Sequence, residues 1–71
     1  MDINTLITKY NEGSVIVEDV IIEPSFDGTY AEVTICGPYG MELTTATLAD
    51  CELDSLKNEF KDCNIIVEPC A

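Results

Sequence analysis

The sequence predicts a small α+β domain with the element order α-β-β-β-α-β, an antiparallel meander sheet and two helices packed on one face. Two segments have the apolar spacing of amphipathic helices, one at the start of the chain and one in its last third. Between them, β-rich runs flank an Asp-Gly pair, which is typical of a hairpin. The 71 residues are close to the lower size limit for one hydrophobic core, so we expect a single domain over 1–71.

The first helix is predicted from the segment "MDINTLITKYNEG". Its apolar residues form one helical stripe, at Ile3, Leu6, Ile7 and Tyr10. Asp2 is a suitable N-cap and Gly13 a suitable C-terminal stop. We therefore expect a helix over residues 2–12.

The runs "SVIVEDVIIEP" and "TYAEVTIC" are predicted to form a hairpin around "SFDGT". Asp27-Gly28 favours a type I′ turn, which needs positive φ at both central residues. A turn centred there fixes a register in which paired residue numbers sum to about 55. The inward-facing residues are then Val20, Ile22, Ala31, Val33 and Ile35. A β-bulge at Glu18-Asp19 would explain why the valines before it are out of phase.

The same register predicts an acidic outward face. It sets Glu23 directly opposite Glu32, with Asp19, Tyr30 and Thr34 on the same side. Like charges directly opposite destabilise a strand pair by roughly 0.2–1 kcal/mol. A sequence shaped only for stability would usually place Lys or Thr at one of these positions.

The third strand is predicted in "MELTTATL", after the loop "GPYG". Met41 and Leu43 fit the core face, and Glu42 is then expected to point outward beside the region of Glu32. A last short strand, "IIVEP", is expected at a sheet edge after a crossover, with Pro69 near its end.

The second helix is predicted in "ADCELDSLKNEFKDCN". Its buried stripe is Leu53, Leu56, Phe60 and Cys63. Either Thr47 and Asp50 form a variant capping box, or Asp50 is the cap itself. On the helical projection, Glu52 and Glu59 lie away from the flank that carries Lys57 and Lys61.

The net charge of −11 arises from 14 acids and three lysines, without any Arg or His. Residues 11–55 contain no basic residue and ten of the carboxylates. Such a chain is not expected to bind a nucleic-acid backbone directly or an anionic membrane. Cations or basic protein surfaces are the partners that the charge favours. Acidity that serves solubility alone is the alternative.

Motifs for catalysis or metal binding are not expected. "DCELDSLKNEFK" begins like a calcium loop, but Ser55 replaces the essential Gly and Lys61 the bidentate Glu. Without His there is no base for a Ser or Cys nucleophile, and no phosphate-binding glycine motif occurs. We therefore predict a protein that is not an enzyme and needs no cofactor. The thiols Cys36, Cys51, Cys63 and Cys70 are expected to be reduced, with a Cys63–Cys70 disulfide left open.

The predicted partner-binding residues combine the outward strand acids with the unpaired flank of the second helix: Asp19, Glu23, Tyr30, Glu32, Glu42, Glu52 and Glu59. Alternate residues on a strand are about 6.5–7 Å apart, and residues four apart on a helix about 6 Å. Successive phosphates of a DNA strand have a similar spacing. Carboxylates placed in this way are predicted to copy the charge pattern of DNA and bind a basic groove.

In its size, its acidity, its helix-then-meander order and its lack of a catalytic set, the chain resembles the small phage-encoded DNA mimics, anti-CRISPR proteins in particular. The opening "MDINTLI" is similar to the start of an inhibitor of an RNA-guided nuclease. The resemblance implies a host CRISPR surveillance complex or nuclease as target, with its PAM-duplex site occupied by the mimic. It also implies a location in the cytoplasm of the infected bacterium.

A second interpretation is a structural or regulatory interaction module whose acidity is incidental. Such a protein would dock through its sheet edge or a helix. In both cases we expect a soluble, intracellular monomer, since neither a signal peptide nor a membrane-spanning run is visible. The distribution of charge separates the two, because mimicry predicts a contiguous acidic face and solubility predicts acids all around the surface.

Overall fold

A computed structural model describes residues 1–68 and contains the predicted order of two helices and four strands. The elements are α1 (Ile3–Glu12), β1 (Asp19–Pro24), β2 (Tyr30–Cys36), β3 (Glu42–Ala49), α2 (Asp50–Glu59) and β4 (Asn64–Val67). One sheet contains all four strands in the order β3-β2-β1-β4. The α+β class and the element order are thus confirmed.

The sheet is mixed, whereas the sequence predicted an antiparallel one. β1, β2 and β3 are antiparallel neighbours, but β4 pairs with β1 in parallel. The reason is the crossover through α2, which links β3 at one edge of the sheet to β4 at the other. A helical crossover returns the chain in its original direction, so β4 runs the same way as β3 and β1.

Both predicted ends of α1 are confirmed. Asp2 is the N-cap, and its Oδ1 accepts a hydrogen bond of 2.7 Å from the Thr5 N–H. This bond lowers the pKa of the Asp2 carboxyl, because it favours the ionised form. Gly13 ends the helix with a φ of 82°, a conformation in which an L side chain is strained.

The hairpin register is as predicted, but the turn type is different. Ile22 pairs with Val33 and Glu23 with Glu32. The Gly28 N–H donates to the Ser25 oxygen at 3.1 Å, and of the Asp-Gly pair only Gly28 has a positive φ, 77°. The expected type I′ turn is therefore wrong, and a five-residue loop over 25–29 connects the strands.

Hydrogen bonds to Asp27 explain this turn. Its Oδ1 accepts from the Ser25 hydroxyl at 2.8 Å and from the Thr29 N–H at 3.1 Å. Aspartate commonly folds a turn onto its own side chain in this way, which holds Asp27 at a negative φ. The same bonds, that of the Thr29 N–H first, lower the pKa of Asp27.

At Glu18-Asp19, where a bulge was expected, the Glu18 N–H donates at 2.9 Å to the oxygen of Cys36, the residue that pairs with Asp19. Two residues therefore oppose one there, as the prediction requires, and a second irregular position lies in β3. β1 begins at Asp19, so the valines before it lie outside the ladder. The register shifts between Ile35 and Cys36, which face Thr44 and Glu42. Leu43 is therefore the extra residue of a bulge.

The bulge overturns the prediction that Met41 faces the core. Met41 is 57% exposed, and Thr44, opposite Ile35, takes the inward position and is buried. The Thr44 hydroxyl donates to the Met1 carbonyl oxygen, so this buried polar group has a partner.

The hydrophobic core lies between the helices and one face of the sheet. Its fully or nearly buried residues come from both layers: Leu6, Val17, Val20, Ile22, Ala31, Val33, Ile35, Leu53, Leu56 and Phe60. The Phe60 ring contacts that of Tyr10, with 4.9 Å between centroids, and so joins the two helices. The predicted stripes of α1 and α2 are thus confirmed as the faces that contact the sheet.

The ends of α2 differ from those predicted. Neither Thr47 nor Asp50 caps it; the Glu52 carboxylate accepts the Ala49 N–H at 2.9 Å instead. The helix ends at Glu59, because Phe60 has non-helical angles and its carbonyl oxygen accepts the Cys63 N–H in a turn.

Within residues 1–68, no helix is both long enough and apolar enough to span a membrane. Pro69 and Cys70 are outside the described residues.

Candidate functional site

One face of the sheet carries both helices, and the opposite face is the candidate site. We call it the open face. The strand register places these side chains on it: Asp19, Ile21, Glu23, Tyr30, Glu32, Thr34, Cys36, Glu42, Thr45, Thr47, Asn64 and Ile66. It therefore contains the five strand residues predicted from sequence, the four carboxylates and Tyr30.

The four carboxylates form two rows across the strands. Glu23 and Glu32 are direct partners in one row, beside Thr47. In the other row Asp19 and Glu42 lie on either side of Cys36. The rows are four residues apart along β2, which corresponds to about 13 Å. The expectation that Glu42 lies beside the region of Glu32 is thus wrong, because Cys36 and Glu42 pair next to the loop between β2 and β3.

This arrangement does not reproduce the spacing of phosphates along a strand. The acids of β1, Asp19 and Glu23, are four residues apart, so their separation is about twice that of alternate residues. The open face presents two acidic rows and not a continuous line of charge.

An uncharged row separates the two acidic rows. It runs across all four strands and consists of Thr45, Thr34, Ile21 and Ile66. The side chain of Ile66 is 43% exposed although it is apolar. The sequence signal for these isoleucines is the continuous apolar runs "VII" and "IIV", in which the middle residue lies on the face opposite to its two neighbours. The charge pattern of the sequence does not identify these isoleucines as site residues.

Tyr30 lies at the hairpin end of the open face. Its side chain is 50% exposed, and its position is next but one to Glu32 along β2. Tyrosine is enriched among the residues that dominate protein interfaces, because it combines a large apolar surface with a hydroxyl group. The structure thus leaves Tyr30 available to a partner.

The Glu23–Glu32 pair should lower the stability of the fold. We expect Glu32→Thr to raise the free energy of unfolding by about 0.2–1 kcal/mol, because it removes the like charge opposite Glu23. Glu42→Thr is the matched control, since Glu42 faces Cys36. Urea denaturation at low and high salt measures both. Equal effects of the two substitutions would show that only the net charge matters.

Cys36 lies between the two carboxylates of the second row. It is 8% exposed, and burial raises the pKa of its thiol, with further contributions from Asp19 and Glu42. The Asp19 carboxylate also accepts a hydrogen bond of 3.1 Å from the Asn64 amide, which connects β1 to β4. Because the thiolate is the nucleophile, this environment protects Cys36 from modification.

Alkylation should therefore distinguish the thiols. We expect iodoacetamide to modify exposed Cys51 first and Cys36 at least about tenfold more slowly in the folded protein. Peptide-level mass spectrometry of the time course measures the two rates separately, and Cys51→Ser should leave the rate at Cys36 unchanged. In urea the difference should disappear. Equal rates in the folded protein would contradict the buried position of Cys36.

The three lysines of the chain lie away from the open face. Lys9 is on α1, Lys57 on α2 and Lys61 in the turn after it. The carboxylates, in contrast, occur all around the domain: four of the 14 are on the open face, and the others are on helices, turns and loops. The open face is therefore distinguished by its missing positive charge and not by a higher density of acids.

The structure does not bring Glu52 and Glu59 together with the other predicted site residues. Both line a groove of about 460 Å³ between α1 and α2, on the helical side of the molecule. Glu52 caps its own helix, and the Glu59 carboxylate accepts a hydrogen bond of 3.2 Å from the Asn11 amide. Helical projection separated these acids from Lys57 and Lys61, but it could not show which side of the sheet they occupy.

The described residues do not form a metal site. Within residues 1–68, no three Cys, Asp or Glu side chains converge on a position that could hold a metal ion. Cys36, Cys51 and Cys63 are unpaired in this part of the chain, and Cys70 lies beyond it. The Cys63 sulfur is 3.4 Å from the Tyr10 hydroxyl oxygen, which raises the pKa of that tyrosine.

The chain matches no protein-family model, no curated protein and no solved structure.

Proposed function

We propose that this chain is a non-enzymatic binding module whose open face docks on a basic protein surface. The observation that carries the proposal is the charge asymmetry of the sheet: its open face has four carboxylates, and its four strands contain no lysine. The uncharged row between the acids supports an apolar contact at the centre. A complementary partner has a basic rim, which accelerates association, and an apolar centre, which slows dissociation.

The more specific form of the proposal is an anti-CRISPR-like inhibitor. In this form the open face occupies the site at which a host CRISPR surveillance complex or nuclease binds the PAM duplex. A protein surface that neutralises phosphates is strongly basic, so it also attracts the carboxylates of this face. The inhibition proposed is electrostatic competition, because the two acidic rows do not have the spacing of successive phosphates.

Capture and competition test both forms. The immobilised protein should retain a basic, DNA-binding protein from a bacterial lysate, and duplex DNA should displace it in a salt-dependent manner. A retained partner that binds DNA and this protein at the same time would contradict the proposal of an anti-CRISPR-like inhibitor. A partner with an acidic or neutral contact surface would contradict the binding module itself.

A regulatory interaction module with incidental acidity is the second candidate. The observation that favours it is the presence of carboxylates on every side of the domain. In that case neutralising open-face acids should leave the affinity for the captured partner unchanged, whereas substitutions at a sheet edge or a helix should reduce it.

A further inference from the structure

The edge of the sheet formed by β3 has unusual chemistry for an exposed strand. Edge strands of soluble proteins are normally protected by lysine, proline, inward charge or short length. β3 has eight residues, and from 43 to 49 it reads "LTTATLA", without a charge or a proline. In a chain of net charge −11, this is a long uncharged segment at an exposed edge.

The hydrogen bonds at the two ends of the β2–β3 ladder show which backbone groups face this edge. The Asp50 N–H donates to the Thr29 oxygen at 3.2 Å, and the Gly37 N–H to the Met41 oxygen at 2.7 Å. Odd-numbered residues of β2 therefore bond towards β3, and their partners Thr44, Ala46 and Leu48 bond back. The N–H and C=O groups of Thr45 and Thr47 must then point away from β2, to the outer edge.

At Ala49 the structure itself confirms this alternation. Its N–H, which also faces away from β2, donates to the Glu52 carboxylate. This bond ends the free edge where α2 begins. Thr45 and Thr47 are exposed, so two successive outward-facing pairs of N–H and C=O groups are accessible.

A groove with both apolar and polar lining residues lies on the helical side of the same strand, which contributes Leu48 to it. Its floor and walls include Leu48 of β3, Ile3 and Ile7 of α1, and Leu56 of α2. A strand added to β3 would point every second side chain to this face of the sheet, next to Leu48 and the groove. The other side chains would lie on the open face, next to Thr45 and Thr47.

Acidic side chains on both faces beside the β3 edge favour a partner strand that carries basic side chains. Glu52 and Glu59 line it at positions i and i+7 of α2, whereas Lys57 is about 140° around the helix from Glu52. On the open face, small Thr47 separates the edge from Glu32. A long basic side chain of the added strand can extend over Thr47 towards that carboxylate.

We propose that the β3 edge and the groove above it form a second binding site, which takes an extended segment of a partner protein with alternating apolar and basic residues. The segment adds to β3 as a fifth strand, with apolar side chains towards the groove and Lys or Arg side chains on the open face, over Thr47 towards Glu32. Main-chain hydrogen bonds provide the affinity, and the alternation of side chains provides the specificity. This site shares Glu32 with the docking proposed for the open face, but its main-chain hydrogen bonds to Thr45 and Thr47 do not depend on that docking.

A synthetic peptide tests the site directly. The probe is an acetylated peptide of about seven residues, the length of the free edge, that alternates valine and lysine. Titration calorimetry should detect binding to the full protein. The matched control peptide has the same sequence with N-methyl groups on alternate residues, in both possible phases. One phase should bind at least about tenfold more weakly, because it lacks the N–H groups that bond to β3.

Substitution of β3 provides the complementary test. Thr47→Pro removes an N–H that faces away from β2, so it preserves the ladder and is tolerated at an edge. It should weaken peptide binding by about tenfold or more, whereas Thr47→Val, which keeps the N–H, should change it by less than about twofold. In wild-type protein the peptide should also slow hydrogen exchange of the Thr45 and Thr47 amides.

Two outcomes would overturn the proposal. One is equal binding of the plain peptide and both N-methylated peptides, which would mean non-specific attraction of lysine to an acidic protein. The other is binding without any slowing of exchange at Thr45 and Thr47. Both are measured on wild-type protein, so they remain decisive even if Thr47→Pro does not fold. Because the probe does not involve Glu23, failure here leaves the proposed function of the open face intact.

Discussion

Phe60→Ala is expected to remove a large part of the free energy of unfolding. Phe60 is 0% exposed, and its ring packs against Tyr10 at the junction of α1 and the end of α2. Removing a buried phenylalanine side chain costs about 3–5 kcal/mol, because apolar contacts are lost and a cavity remains. Domains are stable by roughly 0.05–0.15 kcal/mol per residue, so the loss ranges from about a third to all of the stability of a chain of this size.

The chain contains a matched control for this substitution. Phe26 is 94% exposed in the hairpin loop, so Phe26→Ala makes the same chemical change without removing core contacts. We expect its urea midpoint to equal that of the wild type within error. Circular dichroism during urea and thermal denaturation measures both variants. A loss below about 1 kcal/mol for Phe60→Ala, or equal effects at the two sites, would contradict the packing described.

Phe60 also shows what the sequence could predict and what it could not. Its place in the stripe with Leu53 and Leu56 indicated burial, because apolar spacing depends only on the helical repeat. The same spacing continued to Cys63 and predicted a helix over those residues, but the helix ends at Glu59. No glycine or proline marks that end. It depends on the turn in which the Cys63 N–H donates to the Phe60 oxygen, and so on the start of β4 at Asn64.

The sheet shows the same limit for strands that are distant in sequence. The alternation of β1 and β2 was sufficient to predict their register, since a slip of one residue would expose Ile22 and Val33. The bulge at Leu43 and the parallel position of β4 were not predictable in this way. They depend on how strands distant in sequence pack together, which local alternation does not encode. The error in the position of Glu42 follows from the bulge and its pairing.

The candidate site was predicted in part for the same reason. Glu23, Glu32 and Asp19 belong to the predicted hairpin, so their common face follows from its register. Glu52 and Glu59 were grouped with them on charge alone. The path of α2 across the other face of the sheet separates the two groups, and only the tertiary structure contains that path.

Reversing both opposed glutamates is the substitution with the largest expected effect on binding. We expect Glu23→Lys/Glu32→Lys to lower the affinity for the captured basic partner by about 100-fold or more, since each attraction at that row becomes a repulsion. The fold should be retained, because both side chains are exposed and the substituted pair is again of like charge. If the partner is a nuclease, the variant should no longer inhibit its cleavage of DNA.

A second charge reversal separates this site from net charge. Glu12→Lys/Asp62→Lys changes the net charge equally, but both positions are exposed and lie next to the C-terminal ends of the helices, away from the open face. We expect it to slow association through weaker steering and to change the affinity by less than about tenfold. Surface plasmon resonance at two salt concentrations measures the rates. Strong binding by folded Glu23→Lys/Glu32→Lys would place the site elsewhere on the molecule. An equal loss of affinity in both variants would show that only the total charge of the protein matters.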